Sequence, residues 1–340
     1  YADSHYLFTP ALPLLLLRPA ARGRYGGRAT RPIVATRPPG ATVPPQRRGN
    51  NPVPVYEEML IWEADGVCGT LGAMRIVVCV KHVPDAASQR RFEDGRLVRG
   101  EDDVLNELDE NAIEAAVRLA EGERDAGRAA EVVALTMGPE DAEDAIMRAL
   151  QMGADRGVLV SDDLLEGSDV VTTASVLAAA IARIADEGGA VDLVVTGMAS
   201  LDAMTSMLPA ALAAKAGMPL LGLARSMDVE GRRVEISRTV DGYDERLGAP
   251  LPAVVSVTDQ INEPRYPAFA AMRAARKKPI DQWGIDDLVQ TPGGEALTLR
   301  RALTSVRRSE EITRSGAGTI IQDSGDAGRA LASYILEVVK

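Results

Sequence analysis

The feature that most constrains the fold of this chain is an alternation, from Met74 onward, between short apolar runs and segments of helical periodicity. Four of the runs have strand length and lack a polar residue at every second position, which is typical of strands buried on both faces. They cover residues 75–80, 131–136, 157–160 and 191–196. Because helical segments separate them, the pattern predicts an α/β fold with an open, mostly parallel sheet and helices on both faces.

The predicted helices carry apolar stripes with a period close to 3.6 residues. In the first of them the stripe is formed by Ile113, Ala116, Val117 and Ala120. Proline suits the first turn of a helix and glycine suits its end, and Pro139 and Gly153 bound the second helix in this way. The four helices are expected over residues 109–124, 139–152, 169–186 and about 203–216.

After residue 219 the alternation of apolar runs with helical segments ends. The turn dipeptides Glu230-Gly231 and Asp241-Gly242 separate short β-like runs, and residues 252–258 then read as a strand that returns to the sheet. We therefore expect an antiparallel hairpin excursion. From Trp283 the sequence is charged and interrupted by glycine, and it ends in an amphipathic helix over 327–339. This C-terminal arm, residues 281–340, either covers a partner or lies on its own domain.

Residues 1–73 differ in composition from the rest. They hold ten of the twenty prolines and eight arginines but no lysine, and stretches such as 31–40 have neither helical nor strand periodicity. Three interpretations stay open: translated upstream sequence with Met74 as the initiator, an organelle transit peptide, or a disordered tail. The first predicts a cytoplasmic bacterial protein, and the second a protein of the mitochondrial matrix.

Composition and charge exclude several classes of protein. A net charge of −11 argues against a nucleic-acid binder, which needs a clustered positive surface. The only cysteines are Cys68 and Cys79 and the only histidines His5 and His82, so we expect no metal site and no disulfide framework. No apolar run is long enough to insert into a membrane. No nucleophile–base or paired-carboxylate arrangement stands out, and no catalytic residue is predicted.

The segment from Thr196 to Ser206 is the candidate ligand site. Ligands of open parallel sheets bind beyond the carboxyl ends of strands where the strand order reverses. Gly197 allows close approach of a ligand, and Asp202 is expected to cap the following helix. Thr205 and Ser206 would then lie in its first turn, where hydroxyls and free amides suit a phosphate. An ordinary capped helix start is the alternative. Glycine-rich and Walker signatures are absent, so nucleotide hydrolysis has no support.

Four separated segments together resemble the beta subunit of the electron transfer flavoproteins. Three of them are Met74-Arg-Ile-Val-Val-Cys-Val-Lys-His-Val-Pro-Asp85, Asn106-Glu-Leu-Asp-Glu-Asn-Ala-Ile-Glu-Ala-Ala116 and Ala149-Leu-Gln-Met-Gly-Ala-Asp-Arg-Gly157. The most specific is Ile236-Ser-Arg-Thr-Val-Asp-Gly-Tyr-Asp-Glu-Arg-Leu247, followed by Pro252-Ala-Val-Val255, Asn262-Glu-Pro-Arg-Tyr266 and a basic run ending at Lys278. The resemblance covers residues 74–278 and extends weakly into the tail.

The resemblance implies a fold like that of the adenine nucleotide alpha-hydrolases over residues 74–280, and one alpha subunit that the arm contacts. It implies one structural AMP in this chain and an FAD held mainly by the alpha subunit. Such a subunit is an electron carrier without catalytic residues, which works between acyl-CoA and related flavin dehydrogenases and a quinone reductase.

By the same resemblance, Asn106 and Asp202 would hydrogen-bond the AMP, Thr205 and Ser206 would hold its phosphate, and Cys79 and Met137 would contribute backbone and packing. The full set of implied nucleotide contacts is Cys79, Asn106, Glu107, Leu108, Asp109, Met137, Gly197, Met198, Ala199, Ser200, Leu201, Asp202, Ala203, Met204, Thr205 and Ser206.

Residues 263–278 resemble the loop with which this family docks onto dehydrogenases. Phe269 falls at the position of an apolar anchor, and the implied docking residues are Tyr266, Phe269, Met272, Arg273 and Arg276. Basic side chains would steer docking, namely Arg265, Arg273, Arg276, Lys277 and Lys278. The alternative is an amphipathic surface helix in which Phe269 and Met272 point inward.

The chain departs from the family pattern at two places. Ala86 and Leu108 stand where some members place aromatics near the flavin, and Ala203 and Met204 stand where others carry acids. The second departure leaves open a bifurcating flavoprotein subunit in which a second FAD replaces AMP. Outside the family, a free-standing adenine-nucleotide-binding stress or sensor protein is the rival interpretation.

Overall fold

The computed structural model describes residues 73–88, 90–94, 96–289, 302–310, 323 and 325–338. The interpretations of the segment before residue 73 lie outside this range. Along the described chain the strands are β1 (Met74–Cys79), β2 (His82–Pro84), β3 (Phe92–Glu93), β4 (Arg96–Leu97), β5 (Asp103–Leu105), β6 (Ala130–Met137), β7 (Arg156–Val160), β8 (Leu193–Gly197), β9 (Leu220–Ala224), β10 (Ser226–Glu230), β11 (Arg233–Val240), β12 (Tyr243–Pro250), β13 (Ala253–Val257) and β14 (Ile280–Trp283). The helices are α1 (Glu107–Asp125), α2 (Glu143–Met152), α3 (Val170–Gly188), α4 (Leu208–Ala216), α5 (Phe269–Ala275), α6 (Ile285–Val289) and α7 (Ala327–Val338).

Seven strands form the central sheet in the order β14-β7-β6-β1-β8-β13-β9, and every pairing in it is parallel. Successive side chains of a strand point to opposite faces. Thus Ile76 and Val78 of β1 enter the core beneath α1 and α2, whereas Val77 and Cys79 enter the core beneath α3 and α4. This confirms the predicted α/β class with helices on both faces.

The predicted antiparallel excursion is a three-stranded sheet of β10, β11 and β12. Asp241 and Gly242 both have positive φ (51° and 78°), as the tight turn between β11 and β12 requires. The inner face of this sheet joins the first core through Val234 and Ile236. The residues between β1 and α1 add two small antiparallel pairs, β2 with β5 and β3 with β4, which the sequence pattern did not predict.

Two predicted boundaries need correction. The fourth helix begins at Leu208 rather than near residue 203, so the chain between β8 and α4 is a ten-residue loop. The sheet also continues beyond residue 280, because β14 pairs with β7 from Ile280 to Trp283. Trp283 is buried in the second core and therefore belongs to the domain rather than to the tail.

The described parts of the C-terminal arm differ in their contacts. Residues 302–310 pass the start of α3, where Asp169 caps the helix by accepting from the Thr172 amide at 3.0 Å. The second carboxylate oxygen of Asp169 accepts from the amide of Leu303 at 2.8 Å. By contrast, no described residue of α7 is buried. No helix among the described residues is long and apolar enough to cross a membrane.

Candidate functional site

The strand order reverses between β1 and β8. From β1 the chain moves to β6 and then β7 on one side, and it returns to β8 on the other. Cys79 ends β1, Met137 ends β6 and Gly197 ends β8, while α1 begins at Glu107. The implied nucleotide-contact residues therefore meet at the carboxyl edge of the sheet, at the position where such folds bind ligands.

Asp109 lies at the centre of this edge. Its Oδ2 accepts from the backbone N–H of Lys81 at 2.9 Å, and its carboxylate also accepts from the backbone of Gly197. It thereby links the ends of β1 and β8. Burial raises the pKa of Asp109 to about 7, against the hydrogen bonds that favour its charged form. Burial, aided by the Asp109 carboxyl, also raises the pKa of Cys79 to about 12, so this thiol stays protonated and is no nucleophile at neutral pH.

Gly197 is a glycine because helix α1 lies against it. A Cβ at this position would stand 2.5 Å from Asp109 Oδ1 and 2.7 Å from the carbonyl oxygen of Leu108. The space that a side chain at Gly197 would need is therefore filled by α1, and close approach of a ligand to its backbone stays a prediction.

Asn106 holds the loop that follows β8. The side chain is fully buried, its Nδ2 donates to the carbonyl oxygen of Ala199 at 2.9 Å, and its Oδ1 accepts from the amide of Leu201 at 3.0 Å. These are the hydrogen bonds that the sequence interpretation gave to a ligand. The structure uses them to fix the loop.

Asp202 forms the second brace of the loop. Both of its carboxylate oxygens accept from Lys81 Nζ at 2.9 Å, and Arg99 forms an ion pair with the same group. Burial opposes ionisation, but the two cations outweigh it and lower the pKa of Asp202 to about 2. Asp202 is therefore not the cap of α4, which begins six residues later. Arg99 was missed, because nothing in its local sequence indicates a partner a hundred residues away.

The tip of this loop, residues 203–207, is exposed. Met204 and Ser206 both have a φ of 49°, a conformation that non-glycine residues rarely adopt and that clusters at binding sites. Thr205 and Ser206 lie before α4 rather than in its first turn, which corrects their predicted placement. Both residues are nevertheless exposed at the switch point.

Further polar groups at this edge have no protein partner. The hydroxyls of Thr136 and Thr196, at the ends of β6 and β8, are buried without a hydrogen bond, and so are both ring nitrogens of His82. Thr196 shares its sheet face with Cys79, which is its partner in register. Unpaired buried hydroxyls are unusual and call for a bound partner or water. Together with Lys81 and Arg99, they give this edge the donors and the positive charge that suit a phosphorylated ligand.

The implied dehydrogenase contacts form a second surface, the docking segment of residues 266–276. Tyr266 is 86% exposed and Phe269 is 71% exposed, so Phe269 does not point inward, while Met272 is half-buried. The guanidinium of Arg273 lies 5.2 Å from the centre of the Phe269 ring. Arg276 is exposed and follows the end of α5.

Two of the predicted steering cations have other partners. Arg265 pairs with Glu114 and Glu121 of α1. Lys278 is half-buried and donates to the carbonyl oxygens of Leu150 and Ala154 at the end of α2. The exposed positive charge of the docking segment and its border is therefore limited to Arg273, Arg276 and Lys277.

Comparisons with known proteins agree on one family. A family model described as the electron transfer flavoprotein domain matches residues 94–288. The chain is 38% identical over 265 residues to the electron transfer flavoprotein subunit beta of Mycobacterium leprae, an alignment that covers 77% of this chain and 97% of that protein. It is 32% identical over 251 residues to the caffeyl-CoA reductase–Etf complex subunit CarD of Acetobacterium woodii, covering 73% and 92%. Protein FixA of Azorhizobium caulinodans is 33% identical over 251 residues, covering 71% and 88%.

Proposed function

Because the chain belongs to the electron transfer flavoprotein family and aligns with its beta subunits, we propose that it is the non-catalytic half of a heterodimeric electron carrier and binds AMP at the carboxyl edge of β1 and β8. The observation that carries the nucleotide site is the exposed loop tip at the switch point, which includes Thr205 and Ser206.

The surrounding charges support a phosphate at this place. Lys81 and Arg99 bring two positive charges to the single carboxylate of Asp202, and Asp109, whose pKa of about 7 leaves it only partly ionised at neutral pH, offsets part of the excess. The brace also holds the loop in position before a ligand binds, which lowers the entropic cost of binding. Cys79 and Met137 are apolar neighbours at the strand ends and suit the adenine ring.

Nucleotide and flavin content test this proposal. The heterodimer, purified after expression of both subunits, should release one AMP and one FAD on acid extraction, as measured by chromatography. Replacing Thr205 and Ser206 together with alanine should lower AMP retention, and because both residues are exposed, the thermal stability of the nucleotide-free protein should not change. Thr239→Ala, another exposed threonine on the distant β11, is the matched control. A wild-type heterodimer without any adenine nucleotide would refute the assignment.

A second candidate is a subunit that binds FAD in place of AMP. It is favoured by the uncharged Ala203 and Met204 at the loop tip. The similarity to a protein named as part of a caffeyl-CoA reductase–Etf complex is compatible with a chain that works inside a larger assembly. Two flavins per heterodimer, with no AMP, would establish this alternative.

The alpha subunit is the partner that the C-terminal arm would contact. Helix α7 exposes Leu331, Tyr334, Ile335, Leu336 and Val338. Exposed apolar groups in this number are typical of an interaction surface. Expression of the chain alone should give poorly behaved protein, and coexpression should give a complex with a yellow larger subunit. A stable, colourless monomer that binds ATP would instead support the free-standing sensor interpretation.

The docking segment would contact acyl-CoA and related flavin dehydrogenases, and a quinone reductase would accept the electrons. The FAD, held mainly by the alpha subunit, supplies the redox chemistry when it is bound. This chain contributes a scaffold, a nucleotide site and the exposed Phe269, whose ring can enter a pocket of the partner.

A further inference from the structure

The residues that lead into the docking segment are fastened to helix α1. The side chains and main chains of Asn111 and Asn262 hydrogen-bond reciprocally, with each Nδ2 donating to the other residue's carbonyl oxygen at 3.0 Å. The chain then runs along the helix toward its carboxyl end. The docking segment begins immediately after Arg265.

Arg265 is held by two carboxylates of α1. Its Nε donates to Glu114 Oε2 at 2.7 Å and its backbone N–H donates to the same oxygen at 3.2 Å. Its two terminal nitrogens donate to the carboxylate oxygens of Glu121 at 2.7 and 2.9 Å. The planar guanidinium thus bridges two acids separated by two helical turns, an arrangement that the ammonium group of lysine cannot reproduce.

Glu114 is the more deeply buried of the two carboxylates, so the free-energy cost of burying its charge is the larger one. Its side chain is 1% exposed, and burial alone would raise its pKa. The hydrogen bonds from Arg265 and Arg118 outweigh burial, so the pKa of Glu114 lies below its ordinary value. A buried carboxylate without its cation would be strongly destabilised, so the pairing holds Arg265 in one place.

Helix α1 is a rigid support for these contacts. Asn111, Glu114, Arg118 and Glu121 follow spacings of three, four and three residues, which places them on one face. The opposite face of α1 is buried in the first core through Ile113, Ala116, Val117 and Ala120.

Beyond Arg265 the docking segment packs on the domain through the buried residues Pro267 and Ala275. A cavity of about 370 Å³ lies between part of the segment and the end of α2, lined among others by Met152, Gly153, Ala268 and Ala271. The chain is attached again at Ala275, which is fully buried in the first core, and at Lys278, whose Nζ donates to the carbonyl oxygens of Leu150 and Ala154 at the end of α2. Phe269 is exposed between these attachments, so its position depends on them.

We propose that Glu114 and Arg265 are positioning residues, which set the orientation of the docking segment toward the redox partner without touching that partner themselves. This inference rests on the proposed docking role of residues 266–276. In addition to the exposed anchor Phe269, it assigns a role to the ion pair that attaches Arg265 to α1.

The test uses the complete heterodimer with an acyl-CoA dehydrogenase, varying the heterodimer concentration and following its flavin absorbance. Arg265→Met should raise the KM for the heterodimer about tenfold with kcat changed less than about twofold, the size of one lost interfacial hot spot. Arg265→Lys should raise the KM less than Arg265→Met does, because lysine keeps the positive charge but lacks the planar guanidinium that bonds both carboxylates. Glu121→Gln, which leaves the Glu114–Arg265 pair intact, should have a smaller effect. Arg128→Met, which removes an ion pair with Glu123 of α1, is the control.

Backbone hydrogen exchange of residues 266–276, measured on the same proteins, gives a second readout and should accelerate in Arg265→Met while the strands of the sheet stay protected. An unchanged KM in Arg265→Met, with a raised KM in Phe269→Ala, would overturn the positioning role alone. An unchanged KM in both would overturn the docking role as well. A fall of flavin content and of thermal stability in Arg265→Lys, without a change of KM, would make the pair merely structural and also refute the inference.

Discussion

Replacing Asp109 with asparagine should remove most of the pH dependence of this chain's stability between about pH 5 and about pH 8. Asp109 is buried between the ends of β1 and β8, and burial raises its pKa from 3.8 to about 7. A carboxyl with a raised pKa binds its proton more tightly in the folded than in the unfolded chain. The contribution of Asp109 to the free energy of unfolding is therefore largest at acid pH and falls as the pH rises toward 7.

The magnitude follows from the size of the shift. The difference between 3.8 and about 7 corresponds to about 4 kcal/mol, at about 1.4 kcal/mol for each pH unit. About 3 kcal/mol of this loss falls between pH 5 and pH 8, because part of it has already occurred below pH 5. Asparagine carries no ionisable group, so its contribution is the same at both pH values.

Guanidinium unfolding followed by circular dichroism measures the effect. At pH 5 Asp109→Asn should be less stable than the wild type by about 1–3 kcal/mol, because its amide nitrogen faces the N–H donors that Asp109 accepts from. By pH 8 this difference should vanish or reverse. Asp202→Asn is the control, since the pKa of Asp202 lies at about 2 and its titration falls below the range. Equal slopes in the wild type and Asp109→Asn would refute the reasoning.

Three further substitutions test the site and the core. Gly197→Ala should lower the free energy of unfolding by about 1–3 kcal/mol through overpacking against Leu108 and Asp109; Gly222→Ala, whose Cβ would find its nearest neighbour at 3.6 Å, is the control, and equal stability of the two variants would contradict the close contact. Ile146→Ala removes a fully buried side chain and should cost about 2–5 kcal/mol in the same unfolding assay, whereas Leu164→Ala, 74% exposed, should stay within about 0.5 kcal/mol. Phe269→Ala should raise the KM for electron transfer from a dehydrogenase about tenfold at an unchanged unfolding midpoint, and a change in midpoint without a change in KM would point to packing instead.

The sheet and its helices were predictable because burial produces apolar runs in the strands and apolar stripes in the helices, and both are visible in the local sequence. The run at Ile76–Val78 is apolar at every position since both faces of β1 are covered, and the stripe at Ile113 and Ala116 repeats with the helical period. The Asp241-Gly242 turn was predictable for a similar reason, because few residues adopt its positive φ angles.

The errors concern interactions between residues far apart in sequence. Asp202 has the residue type and spacing of a helix cap, yet Lys81 and Arg99 engage it across the sheet edge and the helix starts later. Arg265 has the composition of a steering charge, but its partners lie on α1. Strand β14 is only four residues long and follows a basic run, so its local pattern does not distinguish it from the arm.

The path of the chain through the docking segment has a consequence for the integrity of the fold. The chain leaves the sheet at β13, next to one edge, and re-enters at β14, which forms the other edge. A single proteolytic cut between residues 258 and 279 would leave β14 held by non-covalent contacts alone, among them its pairing with β7 and the buried side chains of Trp283 and Leu288. If the fragment dissociated, β7 would become a bare strand edge, a template for aggregation. The exposed docking segment is therefore also the covalent link that keeps β14 beside β7.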